Sequence, residues 1–261
     1  MDIIKVIKNR RSVRTFDGRE LSSEDKDKLH SYIENIENPY KIPVKFFLLD
    51  AKKYGLASSV IKGTNWYIAA KVVSTPHSEE AFGFSFEKMV LYACSIGIGT
   101  TWLAKTFERP AFEKAIEIKD GEFMYCVTPI GYPANEMSEK EIQMRKALKA
   151  DERKSENELF FDKNFDNPLK IDENIKNALN AVKLAPSATN KQPWRIVKDG
   201  NKFHFYVAHT KGYATKDVDV QKIDIGIALC NFMSVADGTL KIENPNISSA
   251  DNVEYIATVT I

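Results

Sequence analysis

Near the start of the chain, Arg10-Arg11-Ser12-Val13-Arg14 gathers three guanidinium groups and a hydroxyl within five residues. A guanidinium donates paired hydrogen bonds in a fixed fork that matches phosphate oxygens. The cluster therefore suits a phosphate monoester, whose charge is about −2 at neutral pH. A solvated basic turn is the commoner fate of a bare arginine cluster. A second segment, Ala185-Pro186-Ser187-Ala188-Thr189-Asn190-Lys191-Gln192-Pro193-Trp194, brackets small polar residues between two prolines. Such a rigid loop can turn its backbone and the Ser187 and Asn190 side chains toward a planar heteroaromatic ring. It is also what a plain helix-to-strand connection looks like, with Trp194 in the core, and spacing alone favours that account.

The elements that carry these segments are legible from periodicity. Apolar positions 3, 4, 6 and 7 predict a short helix ending at the arginines. Ser22 is a plausible N-cap for a second helix, with Leu29, Tyr32, Ile33 and Ile36 on one face, stopped by Pro39 and Pro43. Strands are expected at 44–49 and 66–73, and an apolar helix at 84–96 that Gly97-Ile98-Gly99 breaks. A charged helix at 110–117 and a strand at 123–130 follow. Residues 134–158, rich in Glu, Lys and Arg, read as an exposed connector with some helix. Beyond it come a helix at 169–182, a hairpin of strands 194–197 and 203–207 turning at Asp199-Gly200, an apolar helix at 223–235 and a last strand at 255–261.

The order of elements repeats. Residues 21–50 match 169–199, 87–99 match 221–238, and 123–130 match 253–261. Even 153–162 faintly echoes 10–17. Three matched blocks in order favour an internal duplication, with a first half at 1–133, a connector at 134–158 and a second half at 159–261.

Arg-Arg-Ser-Val-Arg together with Ala-Pro-Ser-Ala-x-Asn-x-Gln-Pro-Trp resembles the signature pair of the FMN-dependent nitroreductase family. Gly97-Ile98-Gly99-Thr100-Thr101-Trp102-Leu103 and Ile130-Gly131-Tyr132-Pro133 look like later landmarks, so the resemblance spans most of the chain. It implies an α+β nitroreductase-like fold, internally duplicated, with antiparallel and mixed sheets flanked by helices. In the family both motifs sit in one subunit, and the flavin lies at a dimer interface between the arginine motif of one subunit and the Pro-Ser loop of the other. Here the first half carries Glu37-Asn38-Pro39-Tyr40-Lys41-Ile42-Pro43 where that loop belongs. The chain thus resembles a fused dimer, a monomer acting as its own pseudo-dimer, that kept one flavin site. The lost site would need 153–157 in place of an arginine motif.

Carried over residue by residue, the resemblance implies that Arg10, Ser12 and Arg14 bind the FMN phosphate and the polar edge of the flavin, with Arg11 counted in the motif. Pro186, Ser187, Ala188 and Asn190 are expected to line the ring, and Gln192 either supports that loop or touches the ring. Thr101, Trp102 and Leu103 match a segment whose backbone approaches flavin N5 and O4. Arg153 and Lys154 resemble a basic pair that reaches the phosphate. No catalytic acid or base is expected, the chemistry residing on the flavin. The implied activity is hydride transfer from NADH or NADPH to an electron-poor small molecule such as a nitroaromatic or quinone. A flavin-binding carrier, sensor or pseudoenzyme with little turnover is the alternative, and dehalogenation shares the same site.

Composition narrows the remaining classes. The 261 residues carry 37 basic and 36 acidic side chains, which gives no broad cationic surface for nucleic acid. No apolar run approaches the ~20 residues that cross a bilayer, and the first residues do not read as a signal peptide. Cys94, Cys126 and Cys230 are odd in number and lie in apolar runs, as buried thiols of a cytoplasmic protein do. Gly97-Ile98-Gly99 follows a helix and has Trp102 where a dinucleotide turn has its third glycine. His204 and His209 lack metal-ligand spacing, so no metal is expected. Ser187 lacks a glycine elbow. Phe82, Phe84, Phe86 and Phe107 read mainly as core.

Overall fold

The computed structural model describes residues 2–261; Met1, the first residue of the expected first half, lies outside them. Helix α1 (Ile3–Asn9) is capped by Asp2, whose side chain accepts from the Lys5 N–H. Helix α2 (Ser23–Ile33) starts where Ser22 accepts the Asp25 N–H, with Glu24 and Asp25 complementing the helix dipole. Next come β1 (Val44–Asp50), α3 (Ala51–Tyr54), β2 (Trp66–Val73), α4 (Ser78–Ser95), β3 (Gly99–Thr100), α5 (Arg109–Ala115), β4 (Glu122–Phe123) and β5 (Val127–Gly131). The connector holds α6 (Glu139–Ala147) and α7 (Glu156–Leu159). Beyond it lie β6 (Phe160–Asp162), α8 (Glu173–Leu184), β7 (Trp194–Asp199), β8 (Lys202–Ala208), α9 (Val220–Met233), β9 (Thr239–Lys241) and β10 (Val253–Thr260).

Two sheets result. One runs β1-β2-β5-β3, with β4 also pairing β2; the other runs β6-β7-β8-β10-β9. Every pairing is antiparallel except β6 beside β7. The order β1-β2-β5-β3 corresponds to β7-β8-β10-β9, and β6 is the extra edge strand. This is the mixed α+β architecture expected, two sheets flanked by helices. No helix among the described residues is long and apolar enough to cross a membrane.

Helices α4 and α9 are buried almost all round and cross at glycine. A Cβ on Gly83 would stand 2.1 Å from the Ile223 carbonyl oxygen, and one on Gly226 would stand 2.1 Å from the Glu80 oxygen. Each glycine faces the carbonyl three residues before the other, so the contact is reciprocal, as in an isologous interface. The larger apolar core extends from Ile7 and Leu29 to Phe232 and Val259. A smaller cluster, including Tyr67, Phe107 and Phe112, fills the other side of the first sheet.

Several boundaries depart from the periodic reading. Helix α4 starts at Ser78 rather than 84, with Glu79 and Glu80 in its first turn. The strand expected at 123–130 is divided, because Arg109 donates to the carbonyls of Met124 and Tyr125 in place of a ladder partner. Residues 169–171 are not helical: Asp172 caps α8, and the Leu169 N–H returns to the Phe160 carbonyl. The connector is not simply exposed, since Glu141 has a side chain only 1% accessible and sits beneath the arginine segment.

Candidate functional site

The arginine segment leaves α1 in an extended conformation and runs beside β3. Ser12 bridges Thr100, and the Val13 N–H donates to the Thr100 carbonyl at 2.8 Å. Gly99 permits this approach, because a Cβ there would lie 3.0 Å from Val13. The segment is therefore laid directly against the strand that leads into Thr101, Trp102 and Leu103. From the connector, Glu141 on α6 accepts the Arg14 N–H at 3.1 Å and Arg11 Nη1 at 3.4 Å. Arg11 is thus drawn to Glu141, while the side chains of Arg10 and Arg14 turn elsewhere.

They turn toward other arginines. Burial pushes the Arg10, Arg14 and Arg153 guanidinium groups below their ordinary range, and the nearby charge of Arg145 pushes each further; Arg153 also feels Arg10. The Nε atoms of Arg10, Arg14 and Arg153 are buried and have no hydrogen-bond partner among the described residues. Arg145 pairs with Asp151, and Arg153 Nη1 donates to the Ala150 and Glu152 carbonyls. Buried donors without acceptors cost about 1–3 kcal/mol each, more when charged. Three half-buried to buried guanidinium groups disfavoured by a nearby positive charge, each with an orphaned donor, make a site whose natural complement is an oxyanion with several acceptor oxygens. Arg153 lies near enough to Arg10 to feel its charge.

The Pro-Ser loop is built to hold the connector that supplies Arg153. Ser187 Oγ accepts the Gln192 N–H at 2.9 Å, closing the loop on itself. Residues 188–190 form a short 3-10 turn, in which Thr189 and Asn190 take left-handed backbone angles, as Gln192 does beyond it. The Ala188 N–H points at both carboxylate oxygens of Asp224, at 3.0 and 3.2 Å. Asp224 is buried on α9, and that burial holds its carboxyl well above the usual carboxylate range. Asn190 Nδ2 donates to the Lys149 and Glu152 carbonyls at 2.7 and 3.1 Å. Gln192 Oε1 accepts the Lys154 N–H at 2.9 Å. The Asn190 and Gln192 side-chain amides are therefore committed to the connector and to the loop itself.

In the third expected segment, the Thr101 N–H donates to Thr128 Oγ1 and the Leu103 N–H to the Val127 carbonyl, both at 2.9 Å. That leaves Trp102 as the residue of the three whose amide has no partner among the described residues. The Trp102 ring packs on Phe86, and its Nε1 donates to Glu87 Oε2 at 3.2 Å. The charged neighbours of Lys154 are Arg195, Glu158 and Lys191, none of them in the cluster of Arg10, Arg14, Arg145 and Arg153.

Arg145, Glu141, Asp224 and Glu87 were missed by sequence reasoning. Glu141 and Arg145 stand four apart in a charged stretch, which reads as an ordinary surface ion pair. The signal that could have marked Asp224 and Glu87 is a carboxylate inside an otherwise apolar helix, a residue type rarely buried without a partner.

Residues 2–236 match the family described as "Putative TM nitroreductase". No curated protein matches the chain. Among solved structures, a nitroreductase of Thermotoga maritima MSB8, itself described as putative, is 19% identical with a TM-score of 0.65, over 100% of this chain and 94% of that one. An FMN-dependent nitroreductase of Clostridium difficile R20291 is 16% identical over 55% of this chain and 96% of its own, at a TM-score of 0.44. An iodotyrosine deiodinase bound to FMN and 3-iodo-L-tyrosine is 14% identical over 52% of this chain and 92% of its own, at 0.41. With a family match over nearly its whole length, on a fold shared with the Thermotoga protein, the chain belongs to this nitroreductase family of oxidoreductases.

Proposed function

We propose that the chain binds one FMN, with its phosphate among Arg10, Arg14, Arg145 and Arg153, and works as an NAD(P)H-dependent flavoenzyme on an electron-poor small molecule such as a nitroaromatic or quinone. The observation that carries this reading is the set of three buried Nε donors without acceptors, on guanidinium groups that the nearby charge of Arg145 disfavours. Phosphate oxygens would satisfy those donors and neutralise the repulsion. Ser12 and the Trp102 amide stand at the next positions along the same strand edge, where they would orient the flavin's polar edge. Pro186, Ser187 and Ala188 would approach from the second half, with Asp224 fixing the height of the loop through the Ala188 N–H.

FMN, once bound, supplies the hydride-accepting and hydride-donating chemistry itself. The chain's own work is to bind, orient and exclude water, and it needs no proton-transferring side chain at the reacting atom. The reciprocal α4–α9 crossing and the shared core support a pseudo-dimer in one chain, with halves at 1–133 and 159–261 joined by 134–158. A monomer of 29.6 kDa with a single flavin is the corresponding solution state. A cytoplasmic location accords with three thiols that form no disulfide.

The test is reconstitution with FMN, followed by flavin stoichiometry, light scattering and anaerobic mixing with NADH or NADPH. One flavin per monomer, bleached by a nicotinamide and reoxidised by a quinone or nitroaromatic, is the expected result. Bleaching without acceptor turnover supports a flavin carrier or sensor instead. Protein that stays colourless after reconstitution overturns both readings.

A further inference from the structure

Glu87 lies inside α4 with no solvent exposure, beside the arginine site. Its Oε2 accepts from Trp102 Nε1, and its Oε1 is buried with no partner among the described residues. Arg10 is its nearest countercharge, yet the two close no ion pair within 4.0 Å, and Arg10 Nε is itself orphaned. A fully buried carboxyl and a half-buried guanidinium thus lie near each other, each with a buried polar atom that the other does not satisfy. The α4–α9 crossing adds a comparison. Four residues beyond Gly83 stands Glu87; four beyond Gly226 stands Cys230, so the carboxyl occurs only on the side that faces the arginines.

We propose that Glu87 is a proton-linked positioning residue of the arginine site: an anion placed among Arg10, Arg14 and Arg153 draws a proton onto Glu87. The inference rests on the reading of that cluster as a phosphate site. Arg10 faces both partners, and its charge opposes the burial that favours the neutral carboxyl. An oxyanion bound to Arg10 cancels part of that field at Glu87, and desolvation then favours the neutral carboxyl. Burial already lifts Glu87 to about 7, with Arg10 and the Trp102 hydrogen bond opposing the rise. The other groups facing Glu87 are the thiols of Cys94 on its own helix and Cys230 on α9, both raised by burial and therefore neutral, while Arg145 acts through Arg10.

The sign follows from linkage. The bound state holds its proton to higher pH than the free state, so binding takes up protons above about pH 7 and weakens as pH rises. The limit for one proton is about tenfold in affinity per pH unit. An FMN phosphate titrates near pH ~6 and is fully ionised in that range. Sulfate, which does not titrate there at all, separates the site from the ligand.

Calorimetric titration of the flavin-free protein with sulfate, and separately with FMN, at about pH 8 in two buffers of different ionisation enthalpy counts the protons. Uptake of a fraction of a proton per anion, with affinity falling toward pH ~9, is expected of the wild type. Glu87→Gln, which keeps an oxygen for Trp102, should bind with no uptake and a flat profile, whereas Cys94→Ala should retain both. Wild-type binding of either probe without proton exchange overturns the inference while leaving the phosphate site standing; this measurement needs no variant to fold. Undiminished uptake in Glu87→Gln overturns it too. Failure of the wild type to bind sulfate or FMN removes the phosphate site and this coupling with it.

Discussion

Replacing Arg14 by Met should move ligand affinity and protein stability in opposite directions. Arg14 is buried, its Nε has no partner, and burial and Arg145 both act against its charge. Its one favourable neighbour, Glu141, does not depend on the side chain, because it holds the backbone N–H of residue 14 and the Arg11 guanidinium. Removing the guanidinium therefore strands no carboxylate. Exchange of a buried, poorly paired cation for an apolar chain of similar length is neutral to stabilising by about 1–4 kcal/mol. The low end applies here, because Glu141 still attracts Arg14. The same change removes a charge-assisted contact to phosphate, about 1.5–3 kcal/mol, or about 10- to 150-fold in the FMN Kd. Quenching of FMN fluorescence gives the affinity, and urea denaturation of the flavin-free protein gives the stability. Unchanged affinity would remove Arg14 from the site. A loss of affinity and stability together would mean that the arginine is a structural strut and that the orphaned donor does not signal a ligand.

Two further substitutions probe the frame. Gly226→Ala forces a Cβ to within 2.1 Å of the Glu80 oxygen, so α4 and α9 must separate. The overpacking cost of about 1–3 kcal/mol or more should outweigh the ~1 kcal/mol gained from helix propensity. Gly83→Ala should cost about as much because the contact is reciprocal, and wild-type urea midpoints in either variant would refute the tight crossing. Asp224→Asn keeps an oxygen for the Ala188 N–H but cannot ionise. Burial raises the folded-state Asp224 above its unfolded value of about 4, so its contribution to wild-type stability falls as pH rises past that value. The variant should gain on the wild type between about pH 4 and neutrality, by up to about 1.4 kcal/mol per pH unit. A stability difference that does not change with pH would mean that Asp224 ionises normally.

Local chemistry made much of this protein legible. Ser22 and the Asp199-Gly200 turn set their elements by contacts within a few residues, and those elements form where the local pattern puts them, whereas the Asp172 cap starts α8 four residues later than periodicity does. The arginine and Pro-Ser motifs are likewise contiguous, so the segments that resemble the family's signature pair could be read from the sequence. Tertiary structure decided what those residues touch. Arg11 leaves the cluster because Glu141, 130 positions away, lies beneath it. Asn190 and Gln192 grip the connector at 149–154 instead of standing free, and through it they hold Arg153 beside Arg10. Arg145 joins the site, and Lys154 stays out of it. None of this has a sequence signal, because each pairing depends on how the connector folds back over both halves. A charged stretch looks the same whether it meets solvent or a neighbouring charge. The sequence by itself determined which groups could hold an anion; long-range packing decided which of them stand together.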